Sequence, residues 1–361
     1  MQYAEDGNIY DAAIKAGVEP GDLLDFSSNV YPAGLPDEVK NAVGRRLGEA
    51  ARYPDPEARP LRERAAARFG VEPECLLVGN GSTEFLFAIP RCLRPKRVLT
   101  IAPCYHDYWR AIEHAGGEVS GMIAGEGDDF VPDLVAFEQQ FSGVDMAIVG
   151  NPNNPTGVAL PSGALRRIAE RFPKATILVD EAYADFVPDA AGATMLSEPL
   201  PGNVIVLRSL SAFYGCPGLR LGFMIADPRT CNRVQRIREA WSVSQLSLAA
   251  GLALLENPPA SSAIRGAVIA ERERVRDELS RLAGLRVFRS QANFLLIKIT
   301  RPTLTAVTLC DRLLDQSVLV RNVAGFRGLD GKFIRVAVRT AEENDKLLAA
   351  MSVALDEDRW K

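Results

Sequence analysis

Six short apolar runs dominate the middle of the chain: CLLVG (75–79), RVLTIA (97–102), DMAIVG (145–150), ATILVD (175–180), NVIVLR (203–208) and LGFMIA (221–226). Helix-like stretches such as STEFLFAIPRCL and PSGALRRIAERF lie between several of them. A strand that is apolar on both faces must be covered on both faces, and helical connections provide that cover in a mostly parallel sheet. The pattern therefore predicts an α/β fold. Ligands of such sheets collect at the carboxyl ends of the strands, where the loops begin.

A chain of 361 residues suits two domains or one large and one small. After Trp241 the pattern changes to a long charged helix over 263–284, the run NFLLIKI, a helix near 304–315, VLVRNV, FIRVAV and a last helix from about 341. That mixture predicts a second α/β lobe, on which the first 40 or so residues pack. The expected division is a large domain over 41–244 and a smaller one built from 1–40 and 245–361.

Composition excludes several classes. With 47% hydrophobic and 24% charged residues, the chain is an ordinary globular one. A net charge of −4 argues against general nucleic-acid or membrane-surface binding, which needs a clustered basic face. No apolar run approaches a membrane span, and the acidic, amphipathic N-terminus is unlike a signal peptide. The six cysteines lack any Cys-x-x-Cys pair and read as reduced thiols of a cytoplasmic protein. His106 and His114 are too few for a metal site and read as surface or packing residues.

Four stretches carry candidate chemistry. VGNGSTEFLF (78–87) is a strand, a tight turn and a helix opened by Ser82 or Thr83. It fits an anion site and equally a plain capped helix. VGNPNNPTG (149–157) follows a strand and offers amide donors, though Asn and Pro are also ordinary turn residues. LVDEAYADF (178–186) sets Asp180 and Glu181 at a strand end, followed by Tyr183. A carboxylate there could pair with a cationic ring nitrogen or cap a helix. RSLSAFYGCPGLRLGF (208–223) brings Ser209, Ser211 and Arg220 to a strand end, which suits a phosphate dianion.

NPNNPTG, DEAY and RSLSAFYGCPGLRLGF, in this order, resemble the fold-type-I pyridoxal-phosphate enzymes of the aspartate aminotransferase superfamily. The resemblance covers essentially the whole chain. It is greatest with the branch holding threonine-phosphate decarboxylase, and next histidinol-phosphate aminotransferase, through LLDFSSNVYPAGLP, YPDPEARPLRERAA, QANFLLIKI and FIRVAVRTAEEN. It implies a three-layer αβα large domain with a mostly parallel sheet, a smaller α/β domain, pyridoxal 5'-phosphate as cofactor, and a homodimer with shared active sites. The implied reaction is decarboxylation, or related lyase chemistry, of an amino acid with a second anionic group, as in cobalamin biosynthesis; the alternative is a transamination of the histidinol-phosphate type.

The resemblance also implies roles. Asp180 would keep the pyridine nitrogen protonated, making the ring an electron sink. Tyr183 and Asn154 would contact the phenolic oxygen, and Tyr105 would stack on the ring. Gly81, Ser82, Thr83, Ser209, Ser211 and Arg220 would hold the cofactor phosphate, with Tyr53 reaching in from a second subunit. Arg335 would clamp the substrate carboxylate and Arg321 a distal anion, with Asn29, Tyr31 and Glu5 nearby.

Two positions depart from the pattern. Where the family carries the lysine that bonds the cofactor and moves protons at the substrate, this chain has Ala212; the nearest lysines in sequence are Lys174 and Lys298. We read Ala212 as an introduced Lys→Ala substitution in a site otherwise built to work, with a natural cofactor-binding pseudoenzyme as the other reading. In the decarboxylase-like N-terminus a histidine that helps bind phosphate is replaced within EDGN by Glu5, which would repel a dianion at short range.

Overall fold

The computed structural model describes residues 8–210, 212–258 and 261–356. Its first strand is a two-residue piece, β1 (Leu24–Asp25). The large sheet follows with β2 (Leu76–Asn80), β3 (Arg97–Ala102), β4 (Glu118–Ile123), β5 (Met146–Gly150), β6 (Thr176–Asp180), β7 (Val204–Ser209) and β8 (Leu221–Ile225). The smaller lobe adds β9 (Leu285–Val287), β10 (Phe294–Ile299), β11 (Val318–Leu319), β12 (Arg321–Asn322) and β13 (Phe333–Ala337).

The seven strands of the large sheet lie in the order β2-β8-β7-β6-β5-β3-β4. Among these strands β8 alone is antiparallel to its neighbours. Successive side chains on a strand point to opposite faces. Val149, Val179 and Val206 accordingly enter one core cluster, while Ile148, Leu178 and Leu207 enter another on the far side. Helices cover both, giving three layers, as the apolar runs predict.

β4 was not legible in the sequence. Its residues, EVSGMI, alternate between exposed and half-buried because it is the edge strand and needs no continuous apolar run.

The smaller lobe is a four-stranded antiparallel sheet, β12-β13-β10-β9. Helices Ala306–Leu314 and Ala341–Ala354 supply Leu309, Leu313, Leu347 and Met351 to its core. The N-terminal segment joins this lobe: β1 pairs in parallel with β11, and Ala12, Ala13 and Leu23 pack with Leu314. Beyond residue 244, helix Gln245–Glu256 buries Leu248, Ala250 and Leu254 in the same cluster as Leu61 and Leu221 of the large domain. The next helix, Ser261–Ser280, spans both cores, with Val268 in the large one and Val275 and Leu279 in the small one.

A buried ion-pair group ties the ends of β6 and β7 together. Arg208 donates to Glu181 Oε2 at 3.0 Å and to Asp185 Oδ2 at 2.8 Å. Glu181 also accepts from the Thr194 hydroxyl and the Met195 amide, both at 2.6 Å. Burial pushes the Glu181 pKa up, and Arg208 works against that push. Removing one partner of a buried pair leaves the other charge uncompensated. Arg208→Met is expected to cost about 3–5 kcal/mol in urea unfolding, with part of the loss recovered by adding Glu181→Gln. A loss no larger than that of an exposed ion pair would show that the group does not hold the strand ends.

Candidate active site

One cavity of about 490 Å³ opens at the carboxyl edge of the large sheet, against the small lobe. Seven features of the topology bring its residues together. The end of β2 leads through Gly81 into helix Ser82–Leu93, so Ser82 and Thr83 face the cavity from the first helical turn. The end of β3 leads to Tyr105, that of β5 to Asn154, and that of β6 to Asp180. β7 ends on Ser209. β8 runs the other way, so its beginning, not its end, brings Arg220 to the same edge. The small lobe contributes Arg321 and Arg335, which sit opposite each other on β12 and β13.

Close backbone approaches shape the expected phosphate cradle. A Cβ on Gly81, which has φ 75°, would lie 2.5 Å from the Arg220 guanidinium. A Cβ on Gly222 would fall on the Ser82 amide nitrogen and within 2.5 Å of the Gly81 carbonyl carbon. Only glycines let the arginine, the helix N-terminus and β8 approach this closely. The Ser82 and Thr83 hydroxyls, the opening amides of that helix and the Arg220 guanidinium form a donor set without a carboxylate in it, which suits a phosphate.

Asp180, half-buried at the cavity wall, has its carboxyl pushed up by desolvation. The Tyr108 hydroxyl, donating to Oδ2 at 3.0 Å, and the Ala182 amide, donating to Oδ1 at 3.1 Å, work against that push. No arginine or lysine is paired with Asp180 among the described residues, in contrast to its neighbour Glu181. A cationic ring nitrogen is the kind of partner it lacks.

Arg335 donates to Asn154 Oδ1 and to the Ser27 carbonyl, each at 2.6 Å. Its Nε has no protein partner among the described residues, and burial lowers its pKa to about 10, with Arg321 adding to the shift. Asn29 donates to the Tyr183 hydroxyl at 3.3 Å, while its own buried Oδ1 is unpartnered. Burial raises the Tyr183 pKa, so this hydroxyl is a donor at neutral pH. Tyr105 donates to Asp107 Oδ2 at 2.8 Å and its pKa is likewise raised, by burial first.

Most of the sequence-derived residues therefore meet in one place. Asn29, Ser82, Thr83, Tyr105, Asn154, Asp180, Tyr183, Ser209, Ala212, Arg220, Arg321 and Arg335 all line the cavity, while Gly81 shapes it from behind. Tyr31 lies outside the lining; its amide donates to the Ala212 carbonyl at 2.8 Å. Tyr53 is 82% exposed, with its ring 4.8 Å from that of Trp241, and does not reach the cavity of its own chain. Glu5 and Ser211 lie outside the described residues. Ala212 faces the cavity, and among the described residues no lysine lines it.

Three residues were missed. His106, read from sequence as a surface or packing residue, lines the cavity, its ring 4.9 Å from Tyr105 and 6.0 Å from Phe326. Arg110, one helical turn on, pairs with Asp107 at 2.6 Å. Tyr108 holds Asp180. The spacing of YHDYWR, which sets Tyr105 and Tyr108 three apart, was the available signal. Among the described residues no cluster could hold a metal ion. Of the three asparagines in NPNNPTG, Asn151 bonds the backbone of Leu160 and Ala193, and Asn153 bonds Pro103 and Thr156. Only Asn154 turns to the cavity.

Fold and site together define a fold-type-I pyridoxal-phosphate enzyme. The chain belongs to the family of class I and II aminotransferases, whose model matches residues 21–351. It is 35% identical to threonine-phosphate decarboxylase of Salmonella typhimurium, over 96% of this chain and 95% of that protein. It is 31% identical to histidinol-phosphate aminotransferase of Stutzerimonas stutzeri, over 97% of this chain and 93% of that one. The crystal structure of L-threonine-O-3-phosphate decarboxylase from Porphyromonas gingivalis superposes with a TM-score of 0.82 at 27% identity, covering 92% of this chain and 100% of that one. The cofactor of this family is pyridoxal 5'-phosphate.

The state of Asp180 can be read from stability. Its folded pKa lies above the ordinary 3.8, so the folded protein takes up a proton more readily than the unfolded chain does. Its contribution to stability is present below the ordinary value and is lost as pH rises through the raised one. In cofactor-free protein the melting temperature of Asp180→Asn should gain on that of the parent as pH rises through this window, and the gap should level off above it. A gap that does not change with pH would mean that Asp180 carries no buried charge.

Proposed function

We propose that the cavity holds pyridoxal 5'-phosphate and an amino acid bearing a second anionic group, and that the parent activity is decarboxylation of a phosphorylated amino acid of the threonine-phosphate type. The observation that carries this reading is the pair Arg321 and Arg335, opposite each other on adjacent strands and both buried at the cavity wall. Two guanidiniums side by side at the cavity wall suit a ligand with two negative groups. A substrate with a carboxylate and a phosphate supplies both. The similarity to threonine-phosphate decarboxylase along the whole chain supports the same choice.

Each residue then has a task. Gly81, Ser82, Thr83, Ser209, Ser211 and Arg220 bind the cofactor phosphate, and Tyr183 and Asn154 its phenolic oxygen. Asp180 keeps a proton on the ring nitrogen, and Tyr105 covers one ring face. Arg335 orients the substrate carboxylate and Arg321 the distal anion, with Asn29 bordering that pocket. When bound, the cofactor supplies an electron sink for the pair released at the substrate Cα. What this chain does not supply is a lysine to move the proton there, because position 212 is alanine. We therefore assign to this chain very slow turnover and non-covalent cofactor binding, as an inactivated Lys→Ala form of a working enzyme.

The reading includes a cytoplasmic homodimer in which the exposed Tyr53 reaches the partner's site, and a division into a cofactor domain over 41–244 and a small domain of 1–40 and 245–361, with helix Gln245–Glu256 packed on the cofactor domain's core. A transamination of the histidinol-phosphate type is the second reading, favoured by similarity to that aminotransferase over nearly the whole chain.

The test is Ala212→Lys. With pyridoxal phosphate it should give a covalent adduct made permanent by borohydride, seen as a mass increase absent from the parent. With O-phosphothreonine it should release carbon dioxide at least about 100-fold faster than the parent, the scale of a positioned general base. Formation of an oxo acid instead would move the assignment to transamination. An adduct that turns over no amino acid would support a cofactor-binding pseudoenzyme.

A further inference from the structure

Asp180 is the one carboxylate in the cavity that must hold a charge without a protein cation, and a single side chain donates to it. Tyr108 lies on helix Asp107–His114, is 2% exposed, and points its hydroxyl at Oδ2 from 3.0 Å. The backbone opposite has been thinned to admit it: a Cβ on Gly150, the last residue of β5, would lie 2.9 Å from the Tyr108 hydroxyl oxygen. Burial raises the Tyr108 pKa, so the hydroxyl keeps its proton and acts only as a donor. The Ala182 amide occupies Oδ1. Between them the two donors fix the carboxylate plane and leave a lone pair on each oxygen for a ligand.

We infer that Tyr108 is a positioning residue for the cofactor's ring nitrogen, acting through Asp180. Its hydroxyl holds the carboxylate ionised and aimed, so that a protonated ring meets a ready anion. This rests on the reading of the cavity as a pyridoxal-phosphate site. It assigns to Tyr108 a role that Tyr105, three residues earlier, does not share, because Tyr105 bonds Asp107 instead.

The test compares two ligands that differ at one ring atom: pyridoxal phosphate, and its analogue with C–H in place of the ring nitrogen. Dissociation constants of both are measured by equilibrium dialysis on the parent chain, on Tyr108→Phe and on Gly150→Ala. Tyr108→Phe should weaken pyridoxal phosphate about 10-fold, the scale of one hydrogen bond to a charged group, and leave the analogue within about 2-fold. Gly150→Ala should reproduce that split with the tyrosine intact, because the added methyl displaces the hydroxyl. Equal losses for both ligands, or no loss for either, would overturn the role of Tyr108 while leaving the cofactor site standing. A parent chain that binds neither ligand would overturn the reading of the cavity and this inference with it.

Discussion

A carboxylate left without a protein cation among the described residues, at the end of a central strand, organises this protein. Asp180 is half-buried and its charge is disfavoured there, and its donors among the described residues are a tyrosine hydroxyl and an amide. Its neighbour Glu181 is fully buried and engaged by Arg208, Thr194 and Met195. Consecutive residues on one strand end thus have opposite fates. The side chains alternate across the sheet, so one carboxylate is neutralised within the fold and the other is left for a ligand.

The rest of the cavity complements that carboxylate. Its far end gathers hydroxyls, helix amides and Arg220 for an anion, and its small-lobe wall gathers Arg321 and Arg335 for more negative charge. A molecule that fits must be cationic at one point of a flat ring and anionic at its tail. It must also lie beside a second molecule with anionic groups of its own. These demands converge on pyridoxal phosphate and an anionic amino acid without any one residue deciding the matter. Ala212 lines the same cavity and changes none of them, because its methyl group carries no charge and no hydrogen-bonding group.

Much of this was legible beforehand. Buried parallel strands need unbroken apolar runs, so β2, β3, β5, β6, β7 and β8 could be read to within a residue or so, whereas the edge strand β4 could not. Residues at the ends of those runs were recognisable as site residues because the topology of such sheets sends their loops to one edge. His106, Arg110 and Tyr108 escaped because they sit on a short helix beyond the loop. A helix face is assigned only when its neighbours are known. Helix Gln245–Glu256 is apolar almost all round, so its pattern could not say which core it joins.

By itself, then, the sequence determined six strands of the large sheet, the side chains that were candidates for binding an anion or a ring, and the alanine at position 212, because these depend on local periodicity and on residue type. Only the tertiary structure decided which asparagine of NPNNPTG faces the cavity, that Arg321 and Arg335 stand side by side, and that Tyr108 rather than Tyr105 holds Asp180. Those facts are distances between segments far apart in the chain. They are set by strand register and helix packing, to which no single segment has access.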